Sequence, residues 1–280
     1  MDLATIGGLI AALLVISIVM IMDGGSPLDL LSHPSAILLI VGGSLAATTV
    51  TVSVKTVTKL PIFIKQAMTT NKFDVKESIE LLVKMADRAR RDGLLALEED
   101  CKQIKDPFMQ KGIMMVVDGT DSSEIREILE ITIEQTRSRH KVGIGFFAAA
   151  GGFAPTFGII GTVMGLISVL KTLDDPSSFT RSIASAFLAT LWGLLVANVI
   201  YLPLSGKLKA KSEEEIHLRY LQLDGILAVQ AGENPRVVRE KLNAYLSPAD
   251  LRAGEKAKPE DAKGKKAAPA VSEKGVANGA

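Results

Sequence analysis

The chain has 280 residues, 48% of them hydrophobic, and a mean hydropathy of +0.28, which is more apolar than an ordinary soluble protein of this length. Its formal net charge of +1 gives no general attraction to nucleic acid. A single cysteine, Cys101, excludes an intrachain disulfide and reads as a structural thiol.

The first element is "ATIGGLIAALLVISIVMIM", residues 4–22, free of Asp, Glu, Lys, Arg and His. Roughly 18 to 20 apolar residues in a helix cross about 30 Å of hydrocarbon, so this run predicts a membrane span. A cleaved signal peptide would carry a basic leader and a small-residue cleavage site, which are missing here. A second uncharged run, "SAILLIVGGSLAATTVTVSV" at residues 35–54, follows at hairpin spacing. Residues 1–54 therefore predict a transmembrane hairpin.

Residues 55–141 alternate charge with apolar residues at helical period and predict a helical domain outside the membrane. In "DVKESIELLVKMADRARRDG" the residues Val75, Ile79, Leu82, Val83 and Ala86 form one stripe, and Gly93 is the expected stop. "LLALEEDCKQI" predicts a second helix that ends at Asp106 and Pro107. A third begins at "DSSEIREILE", capped by Asp121 or a following serine, with a stripe of Ile125, Ile128, Leu129 and Thr132. No polar break separates it from the next apolar run, so one helix should continue through Arg137 into the membrane.

Residues 142–205 contain two more uncharged runs, 142–170 and 182–204, and predict a second hairpin. After it, "KSEEEIHLRYLQLDGILAVQAG" predicts an amphipathic helix stopping at Gly232. "NPRVVREKLNAYL" predicts another, with Asn234 as cap and Pro235 at the first helical position. These helices form a C-terminal unit, residues 206–246. Residues 247–280 change to Ala, Lys, Glu, Pro and Gly, the composition of a disordered tail. The fold class expected is all-α: a polytopic membrane protein with four transmembrane helices and a helical cytoplasmic domain.

Basic residues set the orientation. "DGGSPLDLLSHP" between the first two spans has no Lys or Arg, whereas Lys55, Lys59 and Lys65 follow span two. Arg137, Arg139 and Lys141 precede span three, and Lys207, Lys209 and Lys211 follow span four. The long middle segment and both termini are thereby expected in the cytoplasm.

None of the four runs holds Asp, Glu, His, Lys or Arg, so a proton path through this chain would need a carboxylate from a partner. The runs hold small residues and hydroxyls instead. Gly151, Pro155, Gly158, Thr162 and Gly165 recur every three or four residues on one face of span three. Ala186, Thr190, Gly193 and Ala197 do the same on span four. Such faces let another helix approach closely and offer it a hydrogen bond. Pro155 removes a backbone donor and predicts a kink at mid-span. Proline, glycine and threonine also serve packing alone in membrane helices, and spacing leaves both roles open. Arg90 and Glu98 read as a solvated face, and His140 as a surface residue. No metal-ligand cluster, nucleophile triad or phosphate loop is present, so neither an enzyme nor a bound cofactor is expected.

"APTFGIIGTVMGLI", "AFLATLWGLLVAN…YLPL", "DPFMQKGIMMVVDGTD…EIREILE" and "VQAGENPRVVREKL" resemble the flagellar stator proteins of the MotA/PomA family, within the wider MotA/TolQ/ExbB proton-channel superfamily. The resemblance covers residues 1–246. It implies a homopentamer around two copies of a single-span MotB/PomB-type partner whose aspartate carries the ion, with torque passed to the rotor switch protein FliG. It implies that Pro155, Gly158, Thr162 and Thr190 lie along the ion pathway and that Pro203, Arg90 and Glu98 couple it to torque. Arg88, Arg91 and Glu99 become further rotor contacts. Sodium-type members tend to carry threonine where this chain has Ala189; a methyl group cannot replace part of an ion's water shell, which favours protons. An energiser of TolQ or ExbB type, without a rotor, is the alternative reading, and a non-conducting membrane scaffold is a third.

Overall fold

The computed structural model describes residues 3–69, 74–171 and 176–251. Nearly all of the proposed disordered tail and part of the loop between spans three and four lie outside them. Helix α1 (Leu3–Met22) is the first span. A short 3-10 turn at Pro27–Leu31, boxed by Ser26 and Asp29, leads to α2 (Pro34–Val50), which has a wider π-type stretch at Leu38–Gly42. Helix α2 is shorter than the run read from sequence. Three helices among the described residues are long and apolar enough to cross a membrane, and α2, at 17 residues or fewer, falls at the short end of the range.

Beyond α2 the chain makes a helical turn at Val54–Val57 and then α3 (Leu60–Met68). Helix α4 (Val75–Asp92) is capped by Asp74 Oδ1, which accepts the Glu77 N–H at 3.0 Å, and it ends at Gly93 with φ of +84°. Only glycine adopts that backbone without strain, which is why the helix stops there. Its predicted stripe is its inner face, joined by Met85 and Ala89. A 3-10 turn, Leu94–Ala96, and α5 (Leu97–Cys101) follow.

Asp106 and Pro107 do not close the second helix; they open a further one, α6 (Pro107–Val117). Asp106 accepts the Phe108 N–H at 2.9 Å and Pro107 occupies the first turn, where its missing donor costs nothing.

Helix α7 (Ser122–Lys171) has 50 residues, about 75 Å at 1.5 Å per residue, and runs through Pro155. Asp121 is its cap, accepting the Ser123 N–H at 2.9 Å. Helix α8 starts at Pro176–Leu195, passes through a π-helical stretch, Val196–Tyr201, and continues as Leu202–Gln230. Span four and the amphipathic helix beyond it are thus one rod, where the sequence reading had two. The π stretch prepares for Pro203: the Leu202 N–H already reaches back five residues to the Ala197 carbonyl, so the register shifts just before the missing donor. Helix α9 (Pro235–Asn243) is capped by Asn234 as expected.

Two cores hang on the α7–α8 pair. Outside the membrane, Ile79, Leu82 and Met85 of α4, Met109 and Ile113 of α6, Ile125, Leu129 and Ile133 of α7, and Leu221, Ile226 and Val229 of α8 are fully buried together. Cys101 belongs to this core, and burial, with Asp100 and Glu98 nearby, pushes its thiol up in keeping with an inert structural role. Between the spans, Ala36 and Ile40 of α2 pack with Phe146, Phe147, Ala150 and Ala154 of α7 and Ala189, Val196 and Ala197 of α8. Helix α1 buries none of its apolar window in the rest of the chain. Side chains such as Leu14, Val15 and Ile21 remain more than half exposed, as lipid-facing residues require.

Candidate functional site

The two small faces predicted on spans three and four meet each other. A methyl placed on Gly158 would lie 3.2 Å from the Ala189 carbonyl oxygen and 3.3 Å from the Cα atoms of Thr190 and Gly193. One placed on Gly165 would lie 2.7 Å from the Ala186 methyl. The backbones of α7 and α8 are therefore in van der Waals contact along more than one turn. Dispersion across such a seam replaces the hydrophobic effect, which is absent between helices in lipid.

Thr162 and Thr190 hydrogen-bond directly to one another across this seam. Thr162 Oγ1 also lies 3.0 Å from the Gly158 carbonyl on its own helix and 3.2 Å from the Ala186 carbonyl on α8. Each hydroxyl has one proton, so one threonine donates to the other, whose own proton goes to a carbonyl. Both are half-buried. Ala189 is buried, facing Gly161 of α7, whose added methyl would also meet Leu39 of α2. Of the residues assigned to an ion pathway, Gly158, Thr162, Ala189 and Thr190 come together here, and Pro155 lies two turns along α7 from Thr162. Pro203 does not join them; it is exposed beside an apolar cavity of about 560 Å³ shared with Gly8, Leu9 and Ala12 of α1.

Further polar contacts lock α8 to its neighbours, and sequence reasoning missed them. Ser205 donates to the Ile144 carbonyl at 2.9 Å, Trp192 Nε1 to the Leu30 carbonyl at 2.8 Å, and Ser44 to the Tyr201 hydroxyl at 3.4 Å. A hydroxyl or indole inside an apolar run signals such a bond but cannot name its partner. His140 is also corrected: it is wedged between α7 and α8, with Nδ1 2.9 Å from Ser212 Oγ and Nε2 3.8 Å from Glu215.

The charged residues sort into two groups at the corner joining α4 and α5. Arg88 is tied down, with a guanidinium nitrogen 2.7 Å from Asp100 and another 3.6 Å from Glu99. The Asp100 hydrogen bond and charge hold its proton more tightly than usual. Arg91 pairs with Asp87 one turn back, and Glu98 lies 3.5 Å from Lys102. Arg90 is exposed and, among the described residues, forms no ion pair. It can therefore meet another molecule without first breaking a contact.

A third polar cluster stitches α6 to α8. Asp106 receives Arg219 at 2.6 and 2.7 Å and the buried Gln222 amide at 2.8 Å, while Arg219 also lies over the Phe108 ring at 5.1 Å. Burial works to raise the Asp106 carboxyl, but hydrogen bonds from Gln222, Arg219 and the Phe108 N–H outweigh it and hold it below its usual range. This cluster is structural: it fixes the core of the extramembrane domain to the rod that carries span four.

Among the described residues no group of His, Cys, Asp and Glu is arranged to hold a metal ion. The site's chemistry is that of hydroxyls and carbonyls between two close membrane helices, each rigidly continued into a helical domain. These features define a membrane-embedded, all-helical protein. Residues 100–220 match the model of the MotA/TolQ/ExbB proton channel family. Motility protein A of Bacillus subtilis is 36% identical over 251 residues, covering 89% of this chain and 93% of that protein. Chemotaxis protein PomA of Vibrio alginolyticus is 37% identical over 247 residues, covering 88% and 96%. A chain in the structure of C. jejuni MotAB superposes with a TM-score of 0.86 at 34% identity, covering 90% of this chain and 98% of that one. A second solved structure, the flagellar MotAB stator complex from Bacillus subtilis, gives 0.84 at 35% identity. The chain belongs to the MotA/PomA family of flagellar stator proteins, within the MotA/TolQ/ExbB proton channel family.

Proposed function

We propose that this chain is the ring-forming subunit of a flagellar stator that couples proton flow to torque. The observation that carries the reading is the Thr162–Thr190 seam, a half-buried hydroxyl cluster in spans that have no Asp, Glu, His, Lys or Arg. Such a chain can shape and wet a pathway but cannot carry a proton along it, so the titratable group has to come from another polypeptide. Solved structures of MotAB complexes support a partner of MotB type; in this reading it crosses the membrane once and supplies an aspartate. Five copies of this chain around two of the partner, in the inner membrane with four crossings and both termini in the cytoplasm, complete the arrangement. Ala189 favours protons over sodium, because its buried methyl offers no oxygen to a dehydrating cation. Arg90 and Glu98, on the corner joining α4 and α5, face FliG; Arg91 and Glu99 support them.

The rods α7 and α8 give the reading a mechanical basis. Each is continuous from the seam to the extramembrane core, so a movement at Thr162 is transmitted by helix backbone rather than through a flexible linker. The test is proton flux in vesicles carrying this chain with its partner, alongside swimming speed in a strain whose own stator genes are deleted. Flux and swimming that both vanish when the partner aspartate becomes asparagine are expected. Flux that persists without the aspartate, or swimming speed that follows sodium concentration, contradicts the mechanism.

A further inference from the structure

The basic residues flanking the spans, three separate stretches of sequence, converge on one pocket. Lys55 and Lys59 follow span two, Arg139 precedes span three and Lys211 follows span four, and all four line a cavity of about 540 Å³ enclosed by α3, α7 and α8. Membrane topology requires positive charge near these ends; it does not require the charges to share a cavity. Among the described residues Lys55, Lys59 and Arg139 form no ion pair, and Arg139 spends one hydrogen bond on Thr136 Oγ1 at 2.8 Å. Lys211 donates to the Gln66 and Thr69 carbonyls, closing the C-terminal end of α3. Among the described residues, the one carboxylate lining the pocket, Glu215, is engaged by Arg219 at 3.3 Å and faces His140. The cavity therefore holds an excess of positive charge that the chain itself does not neutralise.

The rest of its wall is mixed: Phe63, Val142 and Leu208 form an apolar part, beside the polar side chains of Ser53, Thr56, Gln66 and Ser212. Helix α3 carries Ile62, which lines the pocket, and Ile64, both exposed and set between Lys59 and Lys65, the pattern of a helix lying in the membrane interface. We propose that this pocket binds the phosphate headgroup of an anionic glycerophospholipid, with Lys55, Lys59 and Arg139 on the phosphate and the acyl chains leaving along Phe63 and Val142. Arg139 offers planar, paired donors to phosphate oxygens, and the lysines add point charge. A lipid held there would clamp α3 against the α7–α8 rods at the level where they leave the membrane. The inference rests on the membrane placement of the spans and not on the stator mechanism.

Native mass spectrometry of the purified complex, exchanged into phosphatidylglycerol or phosphatidylcholine, tests it. Phosphatidylglycerol should be retained on the parent complex in preference to phosphatidylcholine. The triple variant Lys55→Gln, Lys59→Gln, Arg139→Gln should lose that retention on the order of 100-fold, at about fivefold per charge. Should the triple variant not assemble, Lys59→Gln alone should show the fivefold loss. Lys65→Gln with Lys209→Gln removes two basic residues outside the pocket and should leave retention within about twofold. Equal retention of both lipids, or an equal loss in the outside-pocket variant, overturns the pocket. Displacement of the lipid by millimolar inorganic phosphate assigns the site to a free phosphate and overturns the lipid.

Discussion

Gly193→Ala tests the α7–α8 seam with a single methyl group. At that position a Cβ would lie 2.9 Å from the Ala154 carbonyl oxygen, 3.0 Å from the Gly158 Cα and 3.3 Å from the Gly158 nitrogen. All three are backbone atoms, so no rotamer can turn away and the rods themselves must part. Restoring ordinary contact needs roughly half an ångström of separation, since carbon meets carbon comfortably at about 3.5–4.0 Å. That movement would carry the Thr162 Oγ1 to Ala186 carbonyl contact, now 3.2 Å, beyond hydrogen-bonding range. Overpacking of this kind costs about 1–3 kcal/mol. Replacing glycine by alanine inside a helix returns roughly 0.8–1.0 kcal/mol, which leaves a net loss of up to about 2 kcal/mol. Gly206→Ala, on the same rod with nothing within 4 Å of its added methyl, is the matched control and should be neutral or stabilising. Thermal melts of the purified complex, read beside swimming speed, should separate the two variants. A Gly193 variant that melts with the parent and swims at full speed would refute the close contact between these helices.

Arg90→Glu should leave the melting temperature unchanged and reduce motility, with recovery on reversing a rotor charge, whereas Arg88→Ala should lower stability because it releases Asp100; matching melts for the two would remove the distinction drawn between them. Asp106→Asn should destabilise the extramembrane domain most near neutral pH. The Asp106 carboxyl is held below its unfolded value, so its contribution is complete above about pH 4 and is lost as pH falls through the depressed folded value. Melts of parent and variant from pH 3 to 7 should therefore converge on the acid side, and a constant gap would show that Asp106 acts through something other than its charge. Pro155→Leu restores a helix donor at mid-span and should preserve assembly while lowering torque, measured by tethered-cell rotation; failure to assemble would place Pro155 in packing instead.

Much of the local structure was legible because it is decided within a few residues. Asn234 followed by Pro235, Asp121 before an amphipathic stripe, and Gly93 after one each carry their own backbone reason, and the chain obeys all three. Asp106–Pro107 misled for an instructive cause. An aspartate before a proline is a cap for the helix that follows, and reading the proline only as a stop hid α6. The division of the rod beyond span four failed similarly: charge returns at Lys207, but a change of solvent does not interrupt i to i−4 hydrogen bonds, and α8 simply passes from lipid to water.

The sequence by itself determined that spans are present, that no Asp, Glu, His, Lys or Arg lies within them, and that two of them carry small faces with one threonine each. Those facts are fixed by composition and by the 3.6-residue period. Only the tertiary structure decided that the two faces are each other's partners, that Thr162 bonds Thr190, and that Arg88 is spent on Asp100 while Arg90 is not. Periodicity places a residue on a face of its own helix, but the rotation of one helix against another depends on contacts summed along both rods. The same limit explains the basic pocket: each lysine and arginine was visible as a flank of its own span, and only the packing of α3 against α7 and α8 brings them to one cavity.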